Sequence, residues 1–319
     1  MSNPVPWVSR ASASVYLFGA GASHPSLPLA RGVSKGMIDW GEKVRDYAKG
    51  LSPNTQKDAL TKMSDELSEW GTAANLHYSV DTLAKKLFLT NKQKDICRLK
   101  AAMSAYFMLQ QSAAPAEQRY DSFFAAILEQ PGRPPVIPDD VWLLSWNYDR
   151  QFERAYHQYC SDVRMVQNNI TLCKRVIRLN GLLGRAINKG IGDEYNLHFE
   201  NDKDNVFHRV VSEYMQLLEH SPIITFAFEK DQLQMRITEL AALADKDCTL
   251  VIIGYSFPFF NRRFDKLVLD SLTHITKVFL QVLPEHAKAI ESRMRSLREL
   301  PPIQIIDDRE QFYVPYASD

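Results

Sequence analysis

Short apolar runs that stop at a glycine or a turn residue are the dominant pattern along this chain. Ser14–Phe18 runs into Gly19-Ala20-Gly21, and Val141–Trp146 into Asn147-Tyr148-Asp149. Arg175–Leu179 runs into Asn180-Gly181, and Thr249–Ile253 into Gly254-Tyr255-Ser256. Val278–Val282 and Ile303–Ile306 have the same character. Runs with so little polar alternation suit strands covered on both faces, as in a parallel sheet.

Helical periodicity fills the intervals. Leu29–Lys49 is helix-like, Asn261–Leu272 carries apolar Phe264, Leu267, Val268 and Leu272, and Pro284–Leu297 opens on a proline, which a first helical turn tolerates. Strand and helix alternate through the last 80 or so residues, the signature of a doubly wound α/β fold. The stretch from 50 to 130 differs. It offers four amphipathic segments (Lys57–Trp70, Val80–Phe88, Gln93–Gln111, Tyr120–Leu128) and no strand-like run, and it closes on Gln130-Pro131-Gly132-Arg133-Pro134-Pro135. The expected organisation is therefore an α/β core starting in 1–49, a helical insertion over 50–135, and the rest of the core in 136–319 with a small mixed insertion near 182–221.

Composition narrows the function classes. The chain has 319 residues, 45% of them hydrophobic, and 38 basic side chains balance 38 acidic ones. The apolar fraction fits a globular protein, not a disordered one. A net charge of zero provides no broad positive field, so neither a nucleic acid nor a membrane surface is the expected partner. No apolar stretch approaches the roughly 20 residues needed to span a bilayer, and the start, MSNPVPWVSR, lacks the pattern of a secretory signal. Cys97, Cys160, Cys173 and Cys248 are far apart, with no C-x-x-C pair. They suggest reduced, mostly buried thiols in a cytoplasmic protein without a structural metal.

Four turns carry the candidate chemistry. Gly19-Ala20-Gly21-Ala22-Ser23 follows a strand and precedes a helix, where glycines let backbone amides approach phosphates; alone it equally suits a packed turn, because His24 stands where a fuller glycine fingerprint would continue. Asn147-Tyr148-Asp149 lies at a strand end, where ligands of α/β sheets bind, or serves as a turn and helix cap. Asn180-Gly181 reads as a turn. Gly254-Tyr255-Ser256-Phe257-Pro258 superficially matches a nucleophile elbow but has Pro258 in place of the last glycine, which disfavours a serine hydrolase. The basic residues Lys174, Arg175, Arg178 and Arg185, like Arg262 and Arg263, fit solvated faces. The pairs Phe123-Phe124 and Phe259-Phe260 fit cores or subunit contacts.

In combination and in this order, the four turns resemble the sirtuin-like family of NAD-binding proteins, and within it the bacterial NAD hydrolases of antiviral defence. The resemblance covers four islands between about Tyr16 and Val282. It implies a Rossmann-like core. By this resemblance Gly19, Ala20, Gly21, Ala22 and Ser23, followed by Pro28-Leu29, form the phosphate turn. Asn147 and Asp149 lie beside the nicotinamide and its ribose, and Gly254 and Ser256 hold the adenosine-side ribose and phosphate. Asp81 stands where such proteins often carry an acidic helix start, with a solvated capping role as its simpler reading. The resemblance also implies NAD or ADP-ribose as ligand and an effector triggered by homo-oligomerisation or by a separately encoded partner.

Two departures shape the expectation. The four-cysteine zinc module of the deacetylases is missing, so protein deacylation and a metal are not expected. The family's usual histidine base is replaced by Asn180, whose amide cannot take a proton near neutral pH. Either the cationic leaving group needs little base catalysis, with Asn147, Asp149 and Asn180 lining the reacting bond, or His24 supplies an imidazole, or the site binds NAD without cleaving it. The expected function is an NAD hydrolase yielding nicotinamide and ADP-ribose. A non-catalytic nucleotide sensor and an empty scaffold remain as alternatives.

Overall fold

Each of the six apolar runs forms a strand: β1 (Ser12–Phe18), β2 (Val141–Ser145), β3 (Val176–Arg178), β4 (Asp247–Ile253), β5 (His274–Gln281) and β6 (Ile303–Ile306). The computed structural model describes residues 11–129, 135–160, 163–166, 170, 173–181, 202–220, 222 and 224–315. All neighbouring strands are parallel, in the order β3-β2-β1-β4-β5-β6. The chain thus steps outward from β1 in one direction, then returns to build the other half from β4. This is the Rossmann-like, doubly wound α/β order, with its topological switch point between β1 and β4.

Register explains why the turns meet. Phe18 pairs with Ser145 on one side and Ile253 on the other, Ser145 pairs with Arg178, and Ile253 with Gln281. The residues that follow, at 19, 146, 179 and 254, therefore leave the sheet at one level. Motifs separated by more than a hundred residues share a single edge.

The helices are α1 (Val33–Lys49), α2 (Thr55–Asn75), α3 (Val80–Leu89), α4 (Gln93–Ser112), α5 (Gln118–Ile127), α6 (Gln151–His157), α7 (Val163–Val166), α8 (Lys203–Glu219), α9 (Lys230–Ile237), α10 (Arg262–Ser271) and α11 (Pro284–Arg295). Side-chain caps start three of them: Asn54 accepts from Lys57 N, Ser79 from Thr82 N, and Asp202 from Asn205 N. Strand alternation divides the core in two. Ala13, Val15 and Leu17 face the layer containing α1–α4, α8, α10 and α11, whereas Tyr16 and Phe18 face α5 and α6. Helix α4 is buried on every side from Leu99 to Leu109, as suits a helix enclosed by other helices. The boundary read at residue 50 falls in the short turn between α1 and α2, which pack against each other. The mixed insertion read near 182–221 resolves into α8 over its second half, and residues 182–201 lie outside the described residues.

Phe123 and Phe124 are core residues around Phe18, joined by Tyr120, Phe152 and, from the C-terminal segment, Phe312. Phe259 and Phe260 are exposed. The expectation of mostly buried thiols is corrected: all four are free, but only Cys248, inside β4, is buried. Cys97, within α4, and Cys160 and Cys173, between α6 and β3, are only partly covered. No helix of the described residues is long and apolar enough to cross a membrane.

Candidate functional site

Two backbone turns touch at the switch point, and glycine is what lets them. Gly21 N donates to Gly254 O at 2.9 Å, and Gly19 N to Ile253 O at 3.0 Å. Gly254 has φ +62°, and a Cβ there would lie 2.3 Å from Ala22 N; one on Gly19 would lie 2.6 Å from Tyr255 Cα. A side chain at either position collides with backbone, so the glycines of both motifs are fixed by this contact. Ala20–Ser23 then winds one 3-10 turn. The Gly21 amide, expected to hold phosphate, is engaged by Gly254 in this state.

The turn is fastened to the end of β2 by side chains. Asn147 Nδ2 donates to Gly19 O at 3.0 Å and to Ser23 Oγ at 3.2 Å. Ser23 Oγ donates to Asp149 Oδ2 at 2.7 Å and lies 3.2 Å from Tyr120 OH, while Asp149 Oδ1 accepts from Gln151 N at 3.0 Å. Asn147, Asp149 and Ser23 are all buried. Burial raises the Asp149 carboxyl above the usual range, against the pull of Ser23, the Gln151 amide and Arg178. Asn147 and Asp149 therefore position the glycine turn, a role the motif alone did not reveal.

Asn180 occupies the neighbouring corner. Its Nδ2 donates to Trp146 O at 2.7 Å and its backbone carbonyl accepts from Thr225 N at 2.9 Å. Arg236 ties the same corner by donating to Leu179 O and Thr225 Oγ1. The Asn180 Oδ1 atom is buried with no hydrogen-bond partner among the described residues. An orphaned carbonyl at a strand end is an acceptor waiting for a donor.

Beyond Gly254, the expected ligand residue Ser256 is exposed, and its carbonyl accepts from Arg293 at 2.8 Å. Tyr255 turns inward instead, stacking on Trp146 at 6.0 Å and donating to Asp265 Oδ1 at 2.7 Å. The structure thus brings together Gly19, Ala20, Gly21, Ala22, Ser23, Asn147, Asp149 and Gly254, seats Asn180 against the end of β2, and leaves the Ser256 side chain outside this network. His24 is exposed, and its part in the turn is its carbonyl.

Arg119 and Glu117 escaped the sequence reading. Arg119 donates to the carbonyls of Gly21, Ala22 and His24 and pairs with Glu117 at 2.9 Å, bracing the turn from α5. No local pattern marks an arginine ninety-odd residues downstream. Asp81 is more than a solvated cap: it accepts from Tyr148 OH at 2.5 Å. The solvated face read at Arg178 is corrected as well. Arg178 is buried and paired with Glu153 at 2.5 Å, because its position at the end of β3 points into the layer beneath α6. Arg175 pairs with Asp139 at 2.7 Å, and Arg185 lies outside the described residues.

A scan against models of known protein families finds no match to this chain, and a search of curated proteins likewise finds none.

Proposed function

We propose that the chain binds NAD across the ends of β1, β2 and β4 and hydrolyses its nicotinamide–ribose bond. The observation that carries this reading is the buried, unpaired Oδ1 of Asn180 beside the Asn147 corner. A ribose hydroxyl is the kind of donor such an acceptor takes. The location supports it too, since ligands of open parallel sheets bind outside the carboxyl ends of the strands at the switch point.

The chemistry suits these residues. Water bonds to the anomeric carbon, the carbon–nitrogen bond breaks, its electron pair neutralises the pyridinium, and a proton is released. Nicotinamide leaves as a neutral molecule, so the demand falls on stabilising a ribosyl group with developing positive charge. Asp149 helps hold the carboxamide. Asn147 fixes the turn and orients water or ribose, and the Ser23 hydroxyl keeps both in register. Ser256, exposed beyond Gly254, is the residue that would meet a ribose or phosphate from the β4 side.

A second reading, a sensor that binds NAD or ADP-ribose without cleaving it, is favoured by one observation: the Asn180 amide cannot accept the proton. In the hydrolase reading the chain is an effector of antiviral defence, released by assembly or by a partner; in the sensor reading it is a regulatory module. Incubation with NAD, chromatographic measurement of nicotinamide, and an Asn147→Ala control test the proposal. Release that disappears in the variant supports the hydrolase; saturable binding with no release in any assembly state selects the sensor.

A further inference from the structure

Arg119, near the start of α5, gathers the carbonyl end of the glycine turn. Its Nη2 donates to Gly21 O at 3.3 Å, to Ala22 O at 3.1 Å, and to His24 O. Glu117 holds the guanidinium in place, accepting from Nε at 2.9 Å and from Ser26 Oγ at 3.1 Å. Gly19 O and Ser23 O are taken as well, by Asn147 Nδ2 and Leu27 N. In a helical turn the carbonyls point to one end and the amides to the other. Donors of the protein thus occupy the carbonyls that would repel a phosphate, and they fix the orientation of the amide end.

The cation is itself held by a segment far away in sequence. The Arg119 guanidinium carbon lies 5.1 Å from the centre of the Phe312 ring, within range of a cation–π contact. Phe312 is buried against Phe18, the residue before Gly19, at 5.6 Å, and against Tyr120, next to Arg119, at 5.0 Å. The chain around it is fastened to the last residue of β5. Gln281 Nε2 donates to Asp308 O at 2.8 Å and to Gln311 O at 2.6 Å, and its Oε1 accepts from Tyr313 N at 2.9 Å. The Gln281 backbone carbonyl accepts from Gly254 N at 3.1 Å. Contacts therefore run from Gly254 through Gln281, Phe312 and Arg119 to Gly21, whose amide returns to Gly254 O. The segment after β6 closes a ring around the switch point.

We infer, resting on the NAD reading above, that Arg119 is a positioning residue for the ligand's diphosphate and that Phe312 makes the segment after β6 part of the same site. Arg119 acts through the glycine turn: it satisfies the carbonyls, so the amides keep their place when phosphate draws near. Phe312 acts one step further back, its ring fixing the guanidinium against the turn. One Nη2 atom serves all three carbonyls. An ammonium, which carries its donors at a single point, can therefore stand in for it.

The probe is a carbocyclic NAD analogue, which resists hydrolysis, titrated calorimetrically into wild type and into variants whose melting curves establish that they are folded. Arg119→Ala should bind it roughly tenfold more weakly, the scale of carbonyls left without a donor. Arg119→Lys should recover most of that loss. Phe312→Leu fills the space but removes the ring face, and should weaken binding about threefold. With NAD itself, the same factors should appear in the KM for nicotinamide release while kcat is spared. Wild-type affinity in folded Arg119→Ala, no recovery in Arg119→Lys, or a loss confined to kcat overturns the positioning role and leaves the NAD reading intact. Wild-type affinity in Phe312→Leu removes the segment after β6 from the site, and decides the matter alone should Arg119→Ala not fold. Failure of wild-type protein to bind the analogue overturns both this role and the NAD reading.

Discussion

Ser23 and Asp149 are 126 positions apart, and the serine hydroxyl donates to the aspartate at 2.7 Å. This bond ties the glycine turn after β1 to the end of β2. Removing it in Ser23→Ala leaves a buried carboxylate with its backbone donor but without its hydroxyl, and takes from Asn147 one of its two acceptors. A loss of about 1–3 kcal/mol is expected, the scale of an unsatisfied buried group. Urea denaturation of wild type and variant measures it. A loss below about 0.5 kcal/mol would show that solvent or neighbours replace the hydroxyl without penalty.

Gly254→Ala is expected to be far worse than an alanine elsewhere on the same edge. The position combines a left-handed backbone with a Cβ placed 2.3 Å from Ala22 N, and neither atom belongs to a flexible side chain. A loss of more than about 2 kcal/mol follows from strain and overlap together. Gly50→Ala, whose Cβ would meet only Tyr47 O at 3.5 Å, is the control and should melt near wild type. Equal melting temperatures for the two variants would mean that the turns separate readily.

The sheet was legible because its strands are buried on both faces, which leaves runs such as Thr249–Ile253 with no polar alternation to obscure them. Strand order was legible only as a class. What places Gly19, Trp146 and Gly254 at one level is register, and register depends on pairings between residues far apart. The four turns were found for the same reason, since each interrupts an apolar run. Arg119 and Tyr120 were not, because their partners in the glycine turn lie about a hundred residues away. Asp81 shows the limit most plainly. A carboxylate after Ser79 satisfies every local rule for a helix start, and only the tertiary approach of Tyr148 gives it a second role.

Asp265 should make the protein less stable as pH rises from about 3.8 to about 8. Its Oδ1 accepts from Tyr255, its Oδ2 has no partner among the described residues, and burial pushes its pKa from 3.8 up to about 8. The folded state holds this proton more tightly than the unfolded chain does. The stabilisation is therefore complete below about 3.8 and is lost as pH rises through about 8. Asp265→Asn, which still accepts from Tyr255, should flatten that decline in melting temperature. Asp81 and Asp149 are raised in the same direction, so part of the slope should persist. Superimposable pH profiles for wild type and variant would remove Asp265 from the explanation.

The Asn180 side chain is anchored through Nδ2 to Trp146 O and offers an unpaired oxygen, so it can orient a hydroxyl but not deprotonate it. Asn180→His keeps a donor for Trp146 and puts an imidazole nitrogen where the orphaned oxygen stands. If proton removal limits nicotinamide release, the variant should release it roughly 10²-fold faster, the ordinary contribution of a general base. Its rate should also climb with pH through about 6.5, the range in which histidine loses its proton. Calorimetry with the carbocyclic NAD analogue separates this from a change in affinity, and a melting curve establishes that the larger ring is accommodated. A folded variant that binds the analogue as wild type does, yet releases no more nicotinamide, would show that the carbon–nitrogen bond breaks without help from a base at this corner.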